Sequence, residues 1–308
     1  MRFFNIVKDK GILYVLMRKL TCIKIFRNLI IFVHNASNNR KTKEFKAHNE
    51  KYINTSLFKD LDVSEFVKAL HSDGISMGLK LPSTILNEIL NFSENESCYA
   101  DRSASCGFRL KDLQKANTKL NKNILVAQYF NTVNNCSAIE ILSKDPVLKN
   151  IACMYLGSVP KLVSSNLWWT FPGNSTKEDR DRHAHMFHRD IDDFKFVKFF
   201  FYLTDVASND GAHIFVKGSS DRLPNTNYFD KFRSKRYSDD EVSSCYGDEN
   251  ILELCDKAGN GFAEDTFYLH KGQSPTHTPR LLFQLQFSLF DYGTAHDHRS
   301  ITSLQNIV

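Results

Sequence analysis

HMFHRDIDDFKFVKFFFYLTDVASNDGAHIFVKGSS, residues 185–220, alternates short apolar-aromatic runs with Asn, Asp and Gly turns. That pattern is the signature of antiparallel β structure. Working outward, the same texture runs from Lys161 onwards, with candidate strands at 161–171, 183–188, 194–204, 212–217, 264–270 and 280–290. Asn209-Asp210-Gly211 between two of them has the composition of a hairpin turn. Residues 221–262 are polar and charged, with KFRSKR at 231–236 followed by Asp239, Asp240 and Glu241. The stretch is too long for a simple connection and reads as a functional lid or partly ordered insert.

Upstream the period changes. Asp62 followed by Glu65 has capping-box spacing ahead of Phe66, Val67 and Leu70, and Ser72-Asp73-Gly74 ends that helix. An extended piece from Ile75 to Leu81 leads to Pro82, with Ser83 capping a second helix through Leu90. Residues 125–130 read as a strand, and 136–156 as helix interrupted at Asp145-Pro146. Helices first and strands second predict an α+β domain with a jelly-roll (double-stranded β-helix, cupin-like) core and flanking N-terminal helices.

The formal charge of the 308-residue chain is +5, but residues 1–50 hold eleven Lys/Arg against three acids, a net +8 that leaves −3 for the rest. A basic end on an acidic body does not describe a nucleic-acid-binding protein. Residues 11–33 are apolar yet interrupted by Arg18, Lys19, Lys24 and Arg27, which excludes a membrane span of roughly 18–20 apolar residues. Two readings stay open: a helix packed on the domain or a partner subunit, and a basic amphipathic helix in peripheral contact with an anionic membrane. Asn35 to Tyr52 is polar and reads as a linker, so residues 1–54 form a separable segment and 55–308 the compact domain. Seven cysteines form no C-x-x-C pair, and an odd number cannot all pair within the chain. A reducing, cytoplasmic compartment is therefore expected. Nothing bears on the oligomeric state.

The chemistry lies in His188-Arg189-Asp190. On a strand, residues i and i+2 share a face, so the imidazole and the carboxylate can reach one metal ion. A histidine from another strand would complete a two-His, one-carboxylate face with open positions opposite. His71-Ser72-Asp73 repeats the spacing, but at a helix end where the side chains diverge. For the distal ligand, His270 follows an alternating strand, whereas His277 sits in a Ser-Pro-Thr-His-Thr-Pro loop three residues before Arg280. His270 is preferred. His183 and His185 could instead join His188 in a zinc cluster, a reading that no cysteine pair or H-E-x-x-H motif supports. Trp168, Trp169 and Thr170 either line the pocket or pack in the core.

These parts occur in an order that resembles the core of the phytanoyl-CoA dioxygenase family of Fe(II)/2-oxoglutarate oxygenases. The matching motifs are His188/Asp190, Lys198 on the next strand, Tyr202 to Val206, Gly211-Ala212-His213, Gly218-Ser219-Ser220, and then AEDTFYLHKGQSPTHTPRLLFQLQFS at 263–288. The likeness spans roughly 160–290, with Ala212 where proline is usual and Ser220 where histidine is usual. It implies Fe(II) held by His188, Asp190 and His270, with 2-oxoglutarate and O2 as co-substrates. Arg280 would clamp the far carboxylate of 2-oxoglutarate, and Lys198 is the rival anchor. The implied reaction is hydroxylation of a small molecule with succinate and CO2 released, since Asp190 occupies the position a related halogenase leaves free for halide. The alternative is a metal-binding β-barrel of another kind, an isomerase or a degenerate small-molecule-binding protein.

Overall fold

The computed structural model describes residues 2–173, 176, 185–208, 210–224, 235–293 and 297–308, with 2–10 as backbone only. Its strands are β1 (Ile75–Lys80), β2 (Ser97–Ala100), β3 (Gly107–Arg109), β4 (Val126–Tyr129), β5 (Lys161–Thr170), β6 (Phe196–Tyr202), β7 (His213–Val216), β8 (Ile251–Leu254), β9 (Asn260–Glu264), β10 (His270–Gly272) and β11 (Arg280–Ser288). They form an eight-stranded antiparallel sheet in the order β1-β9-β6-β11-β5-β4-β2-β3 and a three-stranded sheet in the order β10-β7-β8.

Period-2 alternation in β11 organises everything around it. Leu281, Phe283, Leu285 and Phe287 enter the main hydrophobic core with Phe199 and Phe201 of β6 and Leu167 and Trp169 of β5. That face is covered by the helices Val63–Asp73, Ser83–Asn95, Ser137–Lys144 and Pro146–Leu156, and each large side chain so buried contributes roughly 1.5–3 kcal/mol. The opposite face presents Phe200, Tyr202, Phe262 and Leu282 to Ala212, Phe215 and Leu254 of the small sheet. Tyr202 ties the sheets together, donating to the Leu254 carbonyl (2.7 Å) and accepting from the His213 amide (2.9 Å).

Local signals act as read. The Asp62 carboxylate accepts from the Glu65 amide, and the helix stops at Gly74 in the left-handed region (φ 80°). Any Cβ there would stand 2.6 Å from the Tyr268 ring. Asp145 separates two helices and caps the second, accepting from the amides of Val147 and Leu148.

Several expectations need correction. The segment 264–270 is not one strand: β9 ends at Glu264, Asp265 accepts from the Phe267 amide in a tight turn, and His270 opens β10. Of the described residues 185–188, only Phe187 and His188 form bridges, to Tyr237 and His270, while His183 and Ala184 lie outside the described residues. Gly211 does not close a hairpin, because β6 and β7 belong to different sheets. Its φ of 82° turns the chain across, with the Gln273 carbonyl 3.0 Å from where a Cβ would be. Asn209, and residues 225–234 of the expected lid, lie outside the described residues. The rest of 221–262 is built into the fold as the helix Asp239–Tyr246, β8 and part of β9.

The polar stretch 35–52 is not a linker either. A helix runs through it from Lys24 to Lys51, since no Gly or Pro interrupts the stretch and pairs such as Arg40–Glu44 (2.8 Å) sit at helical spacing. The helix is docked: Asn35 donates to the Leu156 carbonyl (3.0 Å), and Ile30 and Ile31 pack with Tyr14, Met17, Phe194 and Phe290. Buried Thr21, between the first two helices, donates to the Asp193 carbonyl (3.2 Å). Removing residues 1–50 should therefore lower the Tm by at least ~4 °C, as a loss of only ~1–2 kcal/mol would do. Calorimetry on the truncated chain checks this, and an unchanged Tm would restore the separable segment.

Candidate metal centre

His188 reaches the small sheet through a two-way backbone bridge. Its amide donates to the His270 carbonyl (3.0 Å) and its carbonyl accepts from the His270 amide (2.9 Å). The Asp190 amide continues the pairing to the Thr266 carbonyl (2.8 Å). This register brings the two imidazoles to 4.4 Å between centroids, with Asp190 beside them.

Each ring is oriented by its own chain. Nδ1 of His188 lies 2.9 Å from the Met186 carbonyl, and Nδ1 of His270 lies 3.0 Å from the Tyr268 carbonyl. A carbonyl can only accept, so both Nδ1 atoms carry the proton and both Nε2 atoms keep a free lone pair. Those Nε2 atoms face the Asp190 carboxylate, at 3.8 Å for His188 and 3.6 Å for His270. All three ligand atoms lie within 4.8 Å of one another, and no other such cluster occurs among the described residues. Two atoms sharing an ion at ~2.1 Å stand ~3–4 Å apart, so the donor set fits one metal. Burial holds His188 well below the ordinary imidazole range and lowers His270, which keeps both neutral as ligands must be. Burial opposes ionisation of Asp190, but the Lys198 ammonium beside it outweighs that and holds the carboxyl well below its usual range.

Lys198 is fully engaged: its Nζ lies 2.6 Å from Asp190 and 3.2 Å from Asp192. Arg280 is in the opposite situation. Its guanidinium is buried, donates to the Gly211 carbonyl and to Thr170 Oγ1 (3.2 Å), and leaves Nε without an acceptor. It makes no ion pair with a carboxylate of the described residues. Burial pushes its pKa down, the mark of a desolvated cation without a counter-charge.

Both cations open into a cavity of about 310 Å³ that also holds the three candidate ligands. Trp168 and Thr170 line it, whereas Trp169 points to the helices and donates to the Tyr129 hydroxyl (3.1 Å). His185 lines it too, its Nδ1 2.7 Å from Ser274 Oγ. His277 is exposed on its loop, and His71 ends its helix against the Tyr155 ring. His213 stacks on His270 with centroids 5.5 Å apart, and its Nε2 lies 2.6 Å from fully buried Glu264. Burial drives this pair toward neutrality, His213 down to about 3 and Glu264 up to about 8.

The sequence reading missed the polar wall. Gln284 and Gln286 share the Arg280 face of β11, and Asn166 of β5 and Gln128 of β4 extend it, with Arg102 and Arg236 completing the cavity. Gln128 donates to Asn166 (3.0 Å), while the Gln284 amide nitrogen is buried with no acceptor among the described residues. The available signal was the alternation RLLFQLQFS, in which glutamines occupy the even positions set by Arg280.

No family model matches the sequence, and no curated protein matches it. Solved structures do resemble it. The epimerase SnoN, in complex with Fe3+, alpha ketoglutarate and nogalamycin RO, aligns with a TM-score of 0.50 at 15% identity, over 73% of this chain and 82% of that one. HygX from Streptomyces hygroscopicus, with nickel and 2-oxoglutarate bound, aligns at 0.45 and 16% identity over 72% and 85%. The carbocyclase SnoK aligns at 0.46 and 13% identity over 72% and 82%. At 15% identity the likeness to SnoN is one of fold.

Proposed function

We propose that this chain is an Fe(II)- and 2-oxoglutarate-dependent oxygenase that hydroxylates a small, oxygen-rich organic molecule, releasing succinate and CO2. The observation that carries this reading is one cavity holding two neutral imidazoles and a carboxylate aimed at a common point, together with a buried guanidinium that lacks a counter-charge. The two facing sheets are read as a double-stranded β-helix. The fold shared with SnoN, a protein crystallised with Fe3+ and alpha ketoglutarate, agrees with that assignment.

Bound iron supplies the chemistry by which dioxygen oxidatively decarboxylates 2-oxoglutarate and a substrate C–H bond is oxidised. The chain's own residues do the rest. His188, Asp190 and His270 would hold the metal. Lys198 keeps Asp190 ionised and aimed, so its ammonium is already spent. Arg280 is therefore the anchor for the far carboxylate, its fork fixed by Thr170 and Gly211. Gln284 and the neighbouring amides offer hydrogen bonds to hydroxyl or carboxylate oxygens of the substrate.

The test is succinate formation from 2-oxoglutarate by the purified protein with Fe(II) and O2, with and without a chelator. No succinate above the chelated control would sink the reading. The wall yields a separate prediction. A buried, unpaired donor costs roughly 1–3 kcal/mol, so Gln284→Leu should raise the Tm of the ligand-free protein by at least ~2 °C. A lower Tm would mean that the amide is satisfied without substrate.

A further inference from the structure

The described residues expose thirteen large hydrophobic side chains, and eight of them fall between residues 12 and 33. Beyond a break at Gly11, the first helix exposes Ile12, Leu13 and Leu16 while burying Tyr14 and Met17 against Phe194. The helix Lys24–Lys51 exposes Ile25, Phe26, Leu29, Phe32 and Val33, spaced i, i+1, i+4, i+7 and i+8, which is a single stripe. Ile30, Ile31 and Asn35 hold its other side to the domain, so the stripe points outward. Exposure runs from 47% at Phe26 to 79% at Ile25, far more than scattered surface apolars require.

Charge narrows the choice of occupant. Followed by helical spacing from Leu29 and Val33, the same face continues through Ala36 to exposed Arg40 and Lys43. At the other end exposed Lys19 flanks the apolar part, while Lys24 turns to the domain and pairs with Asp221 (2.7 Å). Residues 1–50 carry a net +8 on a body of −3, so two copies meeting through this face would set like charge against like charge. No described helix is long and apolar enough to cross a membrane. An apolar stripe with basic flanks on a helix of that kind fits the boundary between anionic headgroups and acyl chains.

We propose that the outward face of the helices before residue 52 docks the protein on an anionic lipid surface, with Leu29 and Phe32 inserted below the headgroups and Arg40 and Lys43 against them. The face is independent of the cavity and of its chemistry. The hairpin turn between the helices nevertheless touches the loop that carries Asp190: Thr21 donates to the Asp193 carbonyl, and the Arg189 guanidinium donates to Cys22 Sγ (3.8 Å).

The experiment is co-sedimentation of the full-length chain with phosphatidylcholine vesicles, with and without phosphatidylserine, across a salt series. Binding should require phosphatidylserine and fall as salt rises. The double variant Leu29→Glu/Phe32→Glu should bind at least about tenfold more weakly with its Tm unchanged, since both side chains are exposed. Arg40→Glu/Lys43→Glu should lose the preference for phosphatidylserine. Absence of vesicle binding, or binding that ignores Leu29→Glu/Phe32→Glu, overturns the proposal. So does sedimentation velocity showing a dimer that the apolar double variant dissolves, which would assign the face to a second copy.

Discussion

Asp190→Ala should reduce iron-dependent succinate formation to the chelated background. Changes outside the ligand set of a metal site typically cost ~10–100-fold in affinity or activity, and loss of a ligand exceeds that. No replacement stands ready. Glu264 is held 2.6 Å from His213, on the Nδ1 side of His270 and away from the shared point. Asp192 is occupied by Lys198, and the variant would also leave that buried ammonium with one carboxylate in place of two. His188→Ala and His270→Ala should behave alike, because each removes one of the two free Nε2 atoms. His277→Ala is the control, as its ring is exposed and lies 2.7 Å from the adjacent Thr276 hydroxyl. Iron content by metal analysis, read beside succinate, separates loss of metal from loss of turnover. An Asp190→Ala protein that keeps stoichiometric iron and wild-type turnover would remove the carboxylate from the centre.

Arg280→Lys should raise the KM for 2-oxoglutarate by about 30-fold or more, the equivalent of ~2 kcal/mol, while iron stays bound. The charge survives but the fork does not. The shorter ammonium cannot keep the Gly211 and Thr170 contacts and still present two parallel donors to a carboxylate. Lys198→Met should act differently, lowering iron occupancy because Asp190 loses the cation that keeps it ionised. If Lys198→Met instead raises the KM at full iron occupancy, and Arg280→Lys leaves it unchanged, the anchor is the lysine. A bidentate clamp predicts the first outcome because Arg280 makes no ion pair with a carboxylate of the described residues, whereas Lys198 has two.

What the sequence settled unaided was local. The alternation in RLLFQLQFS sets its apolar residues on one face and Arg280, Gln284 and Gln286 on the other, since a strand repeats every two residues. Asp62, Gly74 and Asp145-Pro146 place helix ends through caps that act within four residues. The H-x-D pair is equally short-range. Tertiary structure decided whatever depends on pairing between distant segments. The His188–His270 bridge, a register between chain positions 82 residues apart, sets the two imidazoles beside Asp190 and leaves His277 outside. Whether a cation is spent or available follows from what folding brings to it, which is why Lys198 and Arg280 read alike in the sequence and differ in the cavity. The stretch 35–52 has a composition shared by linkers and solvated helices. Docking of the helix on the Phe194–Phe290 cluster chose between them, and so turned its apolar stripe outward.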